Sequence, residues 1–248
     1  MKKIVIGIIG LLVVIVGLFT YSSESIPKSK AEIQQDTISA GDRLAKKMFK
    51  AINKQAWDDI HYVQWSFRGK HHFVWDKYKH LVQVSWKEYV VLINPNTSEG
   101  VAYEDSKKIE GEEADKLIEK AINAFNNDSF WLNAPAKAFD NGTERSVVDF
   151  EGKDALMVKY NSGGSTPGDS YLWILDDKGL PRAWKMWVSI IPVGGIEFSW
   201  EEWAEFDGAM LSQLHDGNVF DLRISNIKTG AQLVDLGLEK DLFDELED

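Results

Sequence analysis

Four of the five histidines of this 248-residue chain, His61, His71, His72 and His80, fall close together, and histidine clusters are the usual raw material of a zinc site. Such a site needs several ligands converging at about 2 Å, which here would require two hairpins to bring His61 onto His72, or His71 onto His80. His71 and His72 are neighbours, so on a strand they point to opposite faces and lose that convergence. No metal is therefore expected. The carboxylates that could do acid–base work, Asp149, Asp154, Glu201, Glu202 and Glu205, do not stand beside a histidine or serine in a catalytic phrase. Charged runs of this kind are ordinarily solvated surface. Residues 162–168 are glycine-rich but lack the lysine and following helix of a phosphate loop. They read as a flexible hairpin loop. The expectation is a protein with no catalytic residues and no cofactor, hence not an enzyme.

The residues with more to offer are apolar. Trp65, Phe67, Val84, Trp86, Tyr89, Val91, Trp173 and Trp184 sit in β-rich runs and could face one side of a sheet as the lining of a ligand-binding pocket. An apolar lining accepts an acyl chain because each buried methylene contributes about 0.8 kcal/mol without demanding strict polar geometry. The same residues serve equally well as core packed beneath helices, and both readings stand at this point.

The elements that must position them are mostly short strands. Residues 39–56 carry Leu44, Met48 and Ile52 on one stripe, with Ser39 and Asp42 resembling a helix cap. From Ile60 the period becomes two: Val63, Trp65 and Phe67 alternate with Tyr62, Gln64 and Ser66. Further β-rich runs follow at short intervals to Tyr103, the signature of an antiparallel meander. A second amphipathic helix is predicted over 112–125, stopped by Asn126, Asn127 and Asp128. Strands are then expected over 145–150, 155–160, 171–175 and 182–187. Residues 198–206 are ambiguous, because Trp200, Trp203 and Phe206 have helical spacing, but the following Asp207-Gly208 turn favours a strand. Another strand is expected over 219–227. The tail beyond Leu233 reads as a short helix that docks weakly or frays. The fold class is mainly β with covering helices (α+β).

Ahead of this body, residues 4–19 are uninterruptedly apolar behind Lys2 and Lys3. As a helix, 4–21 would rise about 27 Å, enough for a thin bilayer. Segment 1–21 is thus a signal anchor (a transmembrane helix) or a cleaved signal peptide; no good Ala-x-Ala cleavage site is present. Positive residues stay inside, which places the body on the periplasmic or extracytoplasmic side: membrane-anchored if the segment stays, secreted to the periplasm if it is cleaved. Residues 22–38 read as a tether and 39–248 as one β-rich domain with an acidic tail. The net charge of −11 disfavours nucleic acid as a partner. The absence of cysteine does not oppose export, since a domain of this size can fold on its core alone.

This order of elements, with the phrase Tyr171-Leu172-Trp173-Ile174 through Gly179-Leu180-Pro181 and a close built from 198–208 and 221–227, resembles the LolA-like superfamily. That group includes the periplasmic lipoprotein carrier and its outer-membrane receptor. The resemblance covers roughly 41–230 with loose motifs. It implies a curved, incomplete antiparallel β-barrel whose concave side is apolar, and lipid binding or transport of acyl chains in that cavity. A peptide anchor at the N-terminus departs from both the released carrier and the lipidated receptor. The resulting expectation is an exported domain that binds or relays a hydrophobic ligand or lipoprotein. The alternative is a non-catalytic cell-envelope structural or interaction module with an envelope protein as partner.

Overall fold

A computed structural model describes residues 23–30, 38–162, 167–218, 220–239 and 242–246. The predicted membrane segment 1–21, residues 22 and 31–37 of the tether and the centre of the 162–168 loop lie outside the described residues. The chain forms antiparallel sheets with covering helices, divided into two compact units. One takes the described residues up to Lys47 with Ala138–Ser199 and Asp216–Asp221; the other takes Met48–Lys137, Trp200–His215 and the residues from Leu222 onward.

Helix α1 (Ala40–Ala51) begins as the sequence suggests, with the Ser39 hydroxyl accepting the Asp42 N–H at 3.0 Å. It does not continue to residue 56. Asn53 adopts a left-handed conformation (φ 50°), and a separate helix α2 (Lys54–Asp59) starts after it. Asparagine tolerates that region better than most residues, and its side chain is held there by donating to the Gly208 carbonyl at 2.8 Å.

In the second unit, strands β1 (Tyr62–Phe67), β2 (His71–Asp76), β3 (Leu81–Trp86), β4 (Tyr89–Asn94) and β5 (Glu99–Glu104) form the predicted meander, and β6 (Lys107–Ile109), which was not expected, extends it. Its register aligns apolar residues into rows: Trp65, Phe73, Val84, Val91 and Ala102 lie opposite one another across five strands, and all are fully buried. Helix α3 (Glu112–Asn133) covers this face. Phe125 sets its ring against Trp65, Phe73 and Trp75 at 5.2–6.3 Å. Ile118 packs so closely over Gly100 that a Cβ there would lie 3.0 Å from the isoleucine.

The helix outruns its expected stop by two turns, because Asp128 is not a terminating residue. Its carboxylate is buried and accepts from His71 on β2. Residues 126–133, beyond the expected stop, are therefore helical, and a 3-10 turn (Ala134–Lys137) follows.

The opposite face of the same sheet is closed by the C-terminal tail. Leu233, Leu236 and Phe243 are at most 6% exposed and pack on Val74, Leu81 and Leu92. Two short 3-10 turns, Leu233–Leu236 and Asp244–Leu246, replace the expected weakly docked helix. Glu245 pins the end of the tail to Tyr103 and Lys108.

The first unit holds a five-stranded sheet of β7 (Thr143–Phe150), β8 (Lys153–Tyr160), β9 (Ser170–Leu175), β10 (Pro181–Trp187) and β11 (Ile196–Ser199), in the order β11-β10-β9-β8-β7. Val147, Leu156, Trp173, Trp184 and Phe198 form a buried row across it. The first turns of α1 rest on this unit, with Gly41 against the Arg145 backbone and Asp42 accepting from Arg145 at 2.5 Å.

The ambiguous stretch 198–206 resolves into the end of β11 and a separate short strand, β12 (Ala204–Phe206). Asp207 and Gly208, both at positive φ, turn it into β13 (Ala209–Leu211) as a hairpin. Strand β14 (Leu214–His215) and β15 (Leu222–Gly230) complete the eight-stranded sheet beside β1. The last strand starts three residues later than 219 and ends at 230.

Candidate functional site

Of the eight residues expected to line a pocket, six share one face of the eight-stranded sheet: Trp65, Phe67, Val84, Trp86, Tyr89 and Val91. Alternation with a period of two places them there. Trp65, Val84 and Val91 have no exposed surface, Phe67 and Trp86 have at most 5%, and Tyr89 is half-buried. Their neighbours are other side chains of the chain itself. The Trp65 ring stacks on Phe73 at 4.6 Å, and Lys120 of α3 places its ammonium 4.5 Å from the Trp86 ring centre. Trp173 and Trp184 are paired in the other sheet with ring centres 5.0 Å apart. The set thus divides six and two between the units.

One polar feature marks the six-residue face. The indole N–H groups of Trp65 and Trp86 are buried without an acceptor among the described residues, and leaving a buried donor unpaired costs about 1–3 kcal/mol. At the edge of the face, Asp128 receives a hydrogen bond from His71 Nδ1 at 2.6 Å and another from Asn127 at 2.8 Å. A histidine on the sheet and a carboxylate on the helix together fasten α3 over the apolar rows.

Two concavities lie elsewhere in the second unit. A cleft of about 10 Å³ beside Trp57, Leu132, Asn133 and Trp203 has room for roughly one water molecule. An open groove of about 250 Å³ runs along α3 past Asp115, Ile118, Glu119 and Ile122. None of the eight predicted residues lines either one.

The histidines go to separate tasks. His61 donates through Nε2 to the Asp76 carboxylate at 3.1 Å and stacks on Tyr62 and Tyr78. His71 and His72 point to opposite faces as expected, His71 to Asp128 and His72 to the Ser66 hydroxyl at 2.7 Å. His80 occupies a turn at positive φ. Among the described residues no three His, Cys, Asp or Glu side chains are grouped closely enough to hold a metal ion. The fifth histidine, His215, was not singled out by sequence; it is fully buried beside Trp131 and Trp200, 5.3 and 4.3 Å away.

The carboxylates are likewise dispersed. Asp149 and Asp154 clasp Lys30 at 3.3 and 2.6 Å, and Glu202 forms a two-pronged pair with Arg223, which lowers its pKa. Glu201 and Glu205 are at the surface.

Lys77 is a group that sequence reading missed, because nothing in a turn lysine signals burial. Its ammonium sits 4.1 Å from the Trp57 ring centre and donates to the Trp57 carbonyl at the end of α2, and burial lowers its pKa to about 8. Between pH 8 and 10 the folded chain has released a proton that the unfolded chain retains, so this group makes stability rise with pH across that window. Above about pH 10 Tyr103 opposes it: burial and Glu245 raise its phenol to about 12, so the unfolded chain ionises first. The expected result is that the urea midpoint of the parent gains on that of Lys77→Met between pH 8 and 10. Parallel profiles would assign the rise to another group.

No protein-family model and no curated protein matches the chain. Solved structures do match it. A crystal structure of a DUF1329 family protein from Desulfovibrio piger is similar over 85% of this chain and 99% of that one, at 9% identity and a TM-score of 0.42. By architecture the described residues form an α+β protein of antiparallel sheets with covering helices, and no sheet closes into a barrel among them.

Proposed function

We propose that the chain is a membrane-tethered, non-catalytic domain on the extracytoplasmic side of a membrane, acting as an interaction module of the cell envelope. The observation that carries this reading is the double covering of the eight-stranded sheet. Helix α3 takes one face, the C-terminal tail takes the other, and both covers come from the chain itself. A sheet filled in this way is a rigid support for outer surfaces. The polar pairs described above hold turns, helix ends and the tail, which is the pattern of a support.

The second reading is the hydrophobic-ligand carrier that the LolA-like resemblance implies. It is favoured by the two indole N–H groups under α3, which an ester or amide carbonyl of an acyl ligand would satisfy. It also draws on the order of elements: helix, meander, covering helix, second meander, as in an incomplete barrel. In this reading ligand entry requires α3 to lift from Trp65 and Trp86. Native mass spectrometry of the full chain, purified from membranes and exhaustively exchanged into detergent, separates the two. The first reading expects the mass of the chain alone, and the second expects a discrete lipid adduct.

A further inference from the structure

The first described residues, 23–30, belong to the predicted tether, yet they do not hang free. The Glu24 N–H donates to the Gly194 carbonyl at 2.9 Å, and the Gly194 N–H donates to the Ser23 hydroxyl at 3.1 Å. The Trp187 indole donates to the Glu24 carbonyl at 2.8 Å, and Lys185 holds the Glu24 carboxylate at 2.8 and 3.0 Å. At its other end the segment pairs with β7: Ser29 forms an antiparallel bridge with Val148, and the Lys30 N–H donates to the Val147 carbonyl at 2.8 Å. From the end of β10 to β7 is three strand spacings, about 14 Å. The five steps from Glu24 to Ser29 reach at most about 17 Å when extended. Fastened to the sheet at both ends, the segment is a strap.

A strap that begins at Ser23 leaves only a short stretch of chain behind it. The apolar run ends at Phe19, and the four steps from Phe19 to Ser23 reach at most about 14 Å when extended. The headgroup layer on each side of a bilayer is about 5–8 Å deep. If the run crosses the bilayer, Gly194 is held within about 14 Å of the hydrocarbon edge, in the headgroup layer or just outside it.

The loop that Gly194 closes is suited to the position. Residues 188–195, between β10 and β11, contain no charged side chain in a chain that is 27% charged. Ile190 in this loop is 71% exposed, the most exposed large apolar side chain among the described residues, and Ile26 on the strap is 49% exposed.

We infer that residues 23–30 lock the five-stranded sheet in one orientation at the membrane, with the 188–195 loop lying in the phospholipid headgroup layer. The inference rests on the membrane-anchor reading given above. Its partner is the lipid surface itself, recognised by burial of Ile190 and its neighbours.

The chain has no cysteine, so single-cysteine variants carry one fluorophore each. Ile190→Cys and Asp177→Cys are labelled with an environment-sensitive nitrobenzoxadiazole dye, and the full chains are reconstituted into phosphatidylcholine vesicles containing a shallow spin-labelled quencher lipid. Asp177 lies in the turn at the other end of β10, about 23 Å from the loop by strand length. The expected result is a blue-shifted emission at 190, quenched at least twofold, with the label at 177 unaffected. If the chains float with the vesicles after an alkaline wash but 190 is quenched no more than 177, the orientation is wrong while the anchor stands. If they do not float, both fall.

Discussion

Replacing Trp65 with alanine lowers folding stability by about 3–5 kcal/mol, the range for deleting a large aromatic side chain from a well-packed core. The indole has no exposed surface and touches three aromatic rings, Phe73, Trp75 and Phe125, from its own sheet and from α3. Neither strand can collapse toward the gap, because Val63 and Phe67 on β1 are fixed in register with β2. Urea unfolding followed by far-UV circular dichroism reads the loss as a lower midpoint. The size of the effect also discriminates between the two functional readings. A face built to open for a ligand would be loosely packed, and Trp65→Ala would then cost under about 1 kcal/mol.

Phe243→Ala is expected to cost a comparable 3–5 kcal/mol. Sequence pattern suggests a short helix that docks weakly or frays, since Leu236, Leu238, Leu242, Phe243 and Leu246 lie among many acids. In the structure Phe243 is 3% exposed and Leu236 2%, on the face of the sheet opposite α3. Without that cover, Val74, Leu81 and Leu92 would face water. Amide exchange in β2, β3 and β4 should accelerate in the variant together with the loss in unfolding midpoint. Unchanged protection in those strands would show that the tail is an ornament on an independently stable sheet.

These two sites also show what sequence can and cannot reveal. Alternation with period two placed Trp65, Val84 and Val91 on a common face, because in a strand side-chain direction is a local property. The opposition of His71 and His72 followed from the same rule. The Ser39 cap and the Asp207-Gly208 hairpin were legible because each satisfies a backbone demand within a few residues.

The misread features depend on distant partners. Asn126, Asn127 and Asp128 looked like a helix stop because such side chains compete for nearby backbone groups, but His71, 57 positions away, engages Asp128 and the helix runs on. The break at Asn53 depends on Gly208, and the strap depends on Gly194 and β7. The tail closes a face formed by strands far earlier in the chain. The candidate site was legible as a set of faces; what covers each face was not, since covering is decided by tertiary contacts.

The central claim is that the apolar face under α3 is completed by the protein's own side chains. A native mass spectrum of the full chain, taken from its membrane and exchanged repeatedly into fresh detergent, measures this directly. The account predicts a single species at the polypeptide mass. A persistent adduct near one acyl lipid per chain, lost when Trp65 or Trp86 is replaced by aspartate in a variant that still folds, would contradict it.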